Sequence, residues 1–171
     1  YRMYLDDVNW LQVSACSQKS LTIGDLNSRL FLPSRDQVMV DRILRTWKEN
    51  GEPKMLIFCK QQLHARNIQA LLNGVGIPSK VLVSSDTPLA ERTRTLMEFR
   101  SGEFSNLVAV DLLNEGVDVP DVSMIVFARV THSRRIFVQQ LGRGLSVSEG
   151  KDRLLVLDFV ADIRRVAAGV S

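Results

Sequence analysis

Met55-Leu56-Ile57-Phe58-Cys59 is a short, unbroken apolar run. It is too short for a buried helix and lacks the alternation of a half-exposed strand, so it reads as a strand covered on both faces. Such strands belong to parallel sheets sandwiched between helices. The flanking sequence agrees. Upstream, Pro33-Ser34 opens a helix with Ser34 as N-cap, Gln37 completing a capping box, and Val40, Ile43, Leu44 and Trp47 as its apolar stripe; Asn50-Gly51 ends it. Downstream, a helix is expected from about Gln61 to Asn73, with Leu63, Ile68, Leu71, Leu72 and then Val75 inward and Gly74 and Gly76 as stops.

The same alternation continues. Val81-Leu82-Val83 reads as a strand. Thr87 caps a further helix with Pro88 at its first position and Leu89, Thr93, Leu96 and Phe99 inward, closed by Ser101-Gly102. Leu107–Val110, Met124–Ala128 and Leu154–Leu157 are three more strands. Ser133 can cap a helix to about Leu141, and a last helix starts near Asp162. Residues 1–33 read differently: a strand within Tyr1 to Val8, a polar stretch from Ser14 to Ser20, and a short helix from Thr22 to Phe31. They are expected to be an N-terminal extension or interdomain connector, with residues 34–171 forming the domain proper. Strand and helix in alternation imply an α/β fold with a mostly parallel sheet between helix layers. The loops after Phe58, Val83, Val110, Ala128 and Leu157 then gather along one edge, where such folds bind ligands.

Two stretches carry chemistry, and both map to that edge. Gln139-Gln140-Leu141-Gly142-Arg143-Gly144 follows the Ala128 strand, and Asp111-Leu112-Leu113-Asn114-Glu115-Gly116-Val117-Asp118-Val119-Pro120 follows Val110. A guanidinium between two glycines suits close approach to a phosphate on a facing surface, and phosphoryl transfer is catalysed mainly by positioning and charge stabilisation. Gln139 lies four residues before Arg143, on the same helical face. Gly116 lets backbone approach a ligand, and Asp118 can bond a ribose hydroxyl or a backbone amide. Each has a plain alternative: a helix C-cap with a solvated arginine, and a turn stopped by Pro120. Asp111 could organise loops or pair with a basic residue. Ser84 and Ser85 could hold phosphates of a nucleic-acid strand, or simply cap the next helix. Arg92 and Arg94 read as helix-surface or salt-bridged residues.

Composition narrows the classes. With 45% apolar and 24% charged residues the chain is an ordinary globular sequence, and at 171 residues it can bury a core without disulfides. Cys16 and Cys59 are too few for a disulfide framework, and Cys59 reads as a buried thiol in a reducing, cytoplasmic compartment. No window is apolar and long enough to span a bilayer. A net charge of +3 permits a polyanionic partner without requiring one. His64 and His132 lack metal-ligand spacing, and His64 reads as a helix-surface residue. There is no G-x-x-x-x-G-K-[ST] loop, no Asp-Glu pair ending an apolar strand, and no GxSxG elbow. Lys60-Gln61-Gln62 after the first alternating strand lacks the glycines of a free-standing nucleotide-binding enzyme. The chain opens at Tyr1 in mid-pattern and reads as a piece of something longer.

Taken together, the residues from about Met55 to Phe159 resemble the second RecA-like domain of superfamily-two helicases and translocases. Leu56–Cys59 is similar to motif four of that family. Ser84-Ser85-Asp86 with Glu91-Arg92 and Phe99–Gly102 is similar to the region after it. Val110–Pro120 is similar to motif five, and Gln139–Ser146 to motif six, usually Q-x-x-G-R-x-x-R. The wording is most similar to members related to the helicase subunits of type I and type III restriction enzymes and other DEAD/DEAH-like DNA helicases.

The resemblance implies a RecA-like three-layer sandwich forming the second motor lobe of an ATP-dependent DNA helicase or translocase. It implies Arg143 at the terminal phosphate, Gln139, Gly116 and Asp118 near nucleotide and sugar, and Asp111 coupling strand binding to hydrolysis. ATP and Mg2+ would be held mainly by a first RecA-like lobe of the same polypeptide. DNA is expected as partner in preference to RNA, with no membrane. The piece alone is expected to be inactive and to bind no cofactor tightly. Two positions depart from the pattern. Ser146 stands where the second motif-six arginine belongs, and Val110 where many relatives have a threonine. A non-hydrolytic nucleic-acid-binding or scaffolding domain is the alternative that Ser146 suggests.

Overall fold

The computed structural model describes residues 2–3, 33–83, 86–110, 122–128 and 154–159. In chain order these form β1 (Arg2–Met3), α1 (Pro33–Glu49), β2 (Met55–Cys59), α2 (Gln62–Gly74), β3 (Lys80–Val83), α3 (Leu89–Ser101), β4 (Asn106–Val110), β5 (Met124–Ala128) and β6 (Leu155–Asp158). The strands make one sheet in the order β1-β6-β5-β2-β4-β3, and every described pairing is parallel. β2 lies inside the sheet, between β5 and β4, which is why Met55–Cys59 is apolar at every position and buried at every position.

The sheet divides the core in two, following the alternation of side chains along each strand. On one face, Met55, Ile57 and Cys59 pack with Val108, Val126 and the inner sides of α1 and α2, through Val40, Ile43, Ala65, Ile68 and Leu72. On the other, Leu56 and Phe58 pack with Leu82, Ala109, Phe127 and Phe99 of α3. The Phe58 and Phe127 rings stack with centroids 5.7 Å apart. The architecture is therefore an α/β sandwich of helix, parallel sheet and helix, as the alternation predicts.

The helix ends explain where β2, β3 and β4 begin. Gly102 follows α3 at φ 82°, Glu103 N–H donates to the Glu98 carbonyl at 3.0 Å, and Gly102 N–H donates to that of Phe99 at 3.3 Å. This is a Schellman stop, and the left-handed backbone it needs is the reason for glycine there. α2 ends likewise, with Gly76 at φ 84° and Ile77 N–H on the Leu72 carbonyl at 2.8 Å. α1 turns into β2 through the Trp47 indole, which donates to the Pro53 carbonyl at 2.9 Å.

Several sequence expectations are corrected. Ser34 is not an N-cap, because α1 already begins at Pro33. Gln37 bonds forward to Asp41 at 3.0 Å and closes no capping box. Pro88 is the N-cap of α3 and Thr87 lies outside the helix. Leu63, expected inward, is 77% exposed, and Leu89 and Thr93 are also exposed. β4 gains Asn106, β3 gains Lys80, and the last strand is shifted by one residue to end at Asp158. The expected helices at 22–31, 133–141 and from 162, and the expected strand at 1–8 apart from Arg2–Met3, lie outside the described residues.

Candidate nucleotide and nucleic-acid edge

Register fixes the geometry of the strand ends. Cys59 of β2 stands opposite Val110 of β4 on one side and Ala128 of β5 on the other. Val83 of β3 stands opposite Val110, and Asp158 of β6 opposite Phe127. The carboxyl ends of five strands are thus nearly flush, and neighbouring ends are separated by about one strand spacing, ~4.8 Å.

Each sequence-predicted site residue follows one of these ends. Ser84 directly follows Val83 and Asp111 directly follows Val110, so these two chain segments leave the sheet from paired positions on adjacent strands. Gly116 and Asp118 belong to the connection from β4 to β5, and Gln139 and Arg143 to the connection from β5 to β6. Ser84, Ser85, Asp111, Gly116, Asp118, Gln139 and Arg143 themselves lie outside the described residues. Thr87 N–H donates to the Val83 carbonyl at 3.1 Å.

The described part of the edge is mostly apolar. Cys59, Val83, Val110 and Ala128 are all buried, and Asp158 is the one charged side chain among the last residues of β2 to β6. Asp158 is 2% exposed and is engaged in a polar contact. The sequence reading passed over it by ending the strand at Leu157. The signal was present, since a carboxylate closing the run Leu154-Leu155-Val156-Leu157 sits where parallel α/β folds place polar function.

A second feature was also missed. α1 and α2 both start at this edge: α2 leaves the end of β2, and the first turn of α1 packs against it. There Asp36, 2% exposed, has Oδ1 3.2 Å from His64 Nε2, while Oδ2 accepts from Asn67 Nδ2 at 3.4 Å. His64 is therefore not the helix-surface residue its position suggested. Its side chain is 9% exposed.

On the far side of the sheet the charges are structural. Lys80 Nζ reaches Glu98 Oε2 at 2.9 Å and Arg94 Nε reaches Oε1 at 2.8 Å. The Lys80 hydrogen bond, then that of Arg94, hold the Glu98 carboxyl below its ordinary range. Among the described residues no cluster of three or more His, Cys, Asp and Glu side chains has the arrangement of a metal site. No described helix is long and apolar enough to cross a membrane.

What the edge offers a nucleotide is limited. The α2 N-terminus has no side-chain cap from Gln61, and the turn before it lacks the glycines that wrap a phosphate chain. Among the described residues, nothing at this edge is shaped to cradle a phosphate chain.

Comparison with known proteins gives this arrangement a family. Residues 35–147 match the model of the helicase conserved C-terminal domain. IRC3 of Saccharomyces cerevisiae, named an ATP-dependent helicase, is 28% identical over 81% of this chain and 20% of its own length. Its counterpart irc3 of Schizosaccharomyces pombe, named a mitochondrial ATP-dependent helicase, is 29% identical over 99% of this chain and 30% of its own. The chain thus spans less than a third of either relative. Among solved structures, the Hef helicase domain of Pyrococcus furiosus superposes with a TM-score of 0.56 at 27% identity, covering 74% of this chain and 26% of that one. The C-terminal domain of the DEAD-box protein Dbp5 gives 0.58 at 20% identity, covering 75% and 71%, a likeness of fold.

Proposed function

The chain belongs to the helicase conserved C-terminal domain family, and from that premise we propose that it is the second motor lobe of an ATP-dependent DNA helicase or translocase. The observation that carries the reading is the flush carboxyl edge. It starts the segments bearing Ser84 and Ser85, Asp111 to Asp118, and Gln139 to Arg143 from neighbouring strand ends. The family match supports it independently.

On this reading the edge faces a first RecA-like lobe across a cleft. Bound ATP with Mg2+ would supply the phosphoryl group that is transferred to water. Arg143 would stabilise the negative charge that spreads over that group, a role worth about 10³–10⁵ in rate where an arginine is supplied across an interface. Gln139 would sit beside it on the same helical face. Gly116 would let backbone close on the nucleotide, and Asp118 would accept a hydrogen bond from the ribose. Asp111, one residue beyond Val110, would link nucleotide and strand. Ser84 and Ser85 would donate to phosphates of the nucleic acid. Such contacts are insensitive to base sequence and sensitive to salt. Opening and closing of the cleft would move the two grips along the strand. DNA is favoured over RNA because the motif wording resembles DNA-directed members; the reading of a reducing, cytoplasmic compartment rests on the chain having only two cysteines, of which Cys59 is buried.

The test is ATP turnover of the intact parent protein carrying Arg143→Ala. Turnover is expected to fall about 10³-fold or more, with DNA affinity within a few-fold of the parent. Unchanged turnover overturns the assignment. A second reading is favoured by one observation, Ser146 in place of an arginine: the lobe holds nucleic acid without supporting hydrolysis. Absence of nucleic-acid-stimulated ATPase in the unmodified parent would select it.

A further inference from the structure

We draw no further inference here: the strongest candidate, the shallow groove on the outer face of α3 lined by Thr93, Arg94, Met97, Glu98 and Ser101, where Met97 is exposed, is an unpartnered surface, and nothing in the structure shows what covers it.

Discussion

Replacing Phe127 by alanine tests whether β5 lies where the sheet order puts it. Phe127 is 1% exposed, stands opposite Phe58 of β2 and Asp158 of β6, and stacks its ring on that of Phe58. Truncating a buried phenylalanine costs about 3–5 kcal/mol, the transfer of the ring plus the cavity it leaves. Of this, about 0.5–1.5 kcal/mol belongs to the ring pair itself. A domain of this size has a total stability of about 5–15 kcal/mol, so the variant should remain folded at low temperature but melt early. At about 2–4 °C per kcal/mol, the expected fall in melting temperature is roughly 6–20 °C. Thermal and urea denaturation of the chain and its Phe58→Ala, Phe127→Ala and double variants supply the cycle. The two single costs should fail to add by about 1 kcal/mol. A loss below about 1 kcal/mol in Phe127→Ala would mean the ring is not enclosed. The sheet order, and with it the placement of the β5 end beside the β2 end, would then be wrong.

Other consequences are more local. Gly102→Ala should cost about 1–2 kcal/mol through its left-handed backbone alone, since nothing lies within 4 Å of the added methyl position; no change in urea midpoint would refute the helix stop. Glu98→Gln should alter the acid limb of stability. The Glu98 carboxyl is held below its ordinary value of 4.5 in the fold, so its contribution is complete above that pH and is lost as pH falls through the lowered value. Melting curves of the variant should therefore differ from the parent at pH 6 and converge toward it in strong acid, and a constant offset at every pH would contradict the cause given. Leu89→Lys and Met97→Lys, both on the exposed side of α3, should each change stability by no more than about 0.5 kcal/mol, and a large loss from either would place that face against something.

The sheet was legible because its strands are written as runs. Met55–Cys59 and Met124–Ala128 are apolar at every position, and burial on both faces is the only environment that asks for this. Strand ends were less legible because Asn106 and Asp158 are polar yet buried; Asn106 donates to the Pro78 carbonyl at 3.0 Å, 28 residues away in sequence. Helix faces misled in two ways. Leu63 lies five positions before Ile68, about 140° around the helix, whereas His64 lies four before it, about 40° away. Geometry thus turns the histidine inward and the leucine out, against hydrophobicity. In α3 only the later half of the expected face is inward: Phe99 is buried and Leu96 packs against the core around it, whereas Leu89 and Thr93 are exposed.

The candidate site is read from an order of motifs along the chain, and the residues that carry it lie outside the described ones. Its edge followed from the fold, because parallel strands joined by helices must bring their following loops to one side. The clasp of Asp36 with His64 and Asn67 was not legible, since its partners are 28 and 31 residues apart in sequence and meet only when two helices start side by side.

The central claim is that Arg143 acts on a phosphate presented by a facing lobe. A structure of the intact protein with ADP and a metal-fluoride mimic of the transferred phosphoryl group tests it most directly. The account predicts the Arg143 guanidinium in the cleft between the lobes, about 3 Å from the mimic's equatorial ligands. An Arg143 turned away from that cleft and held in an internal ion pair, with the mimic bound, would contradict it.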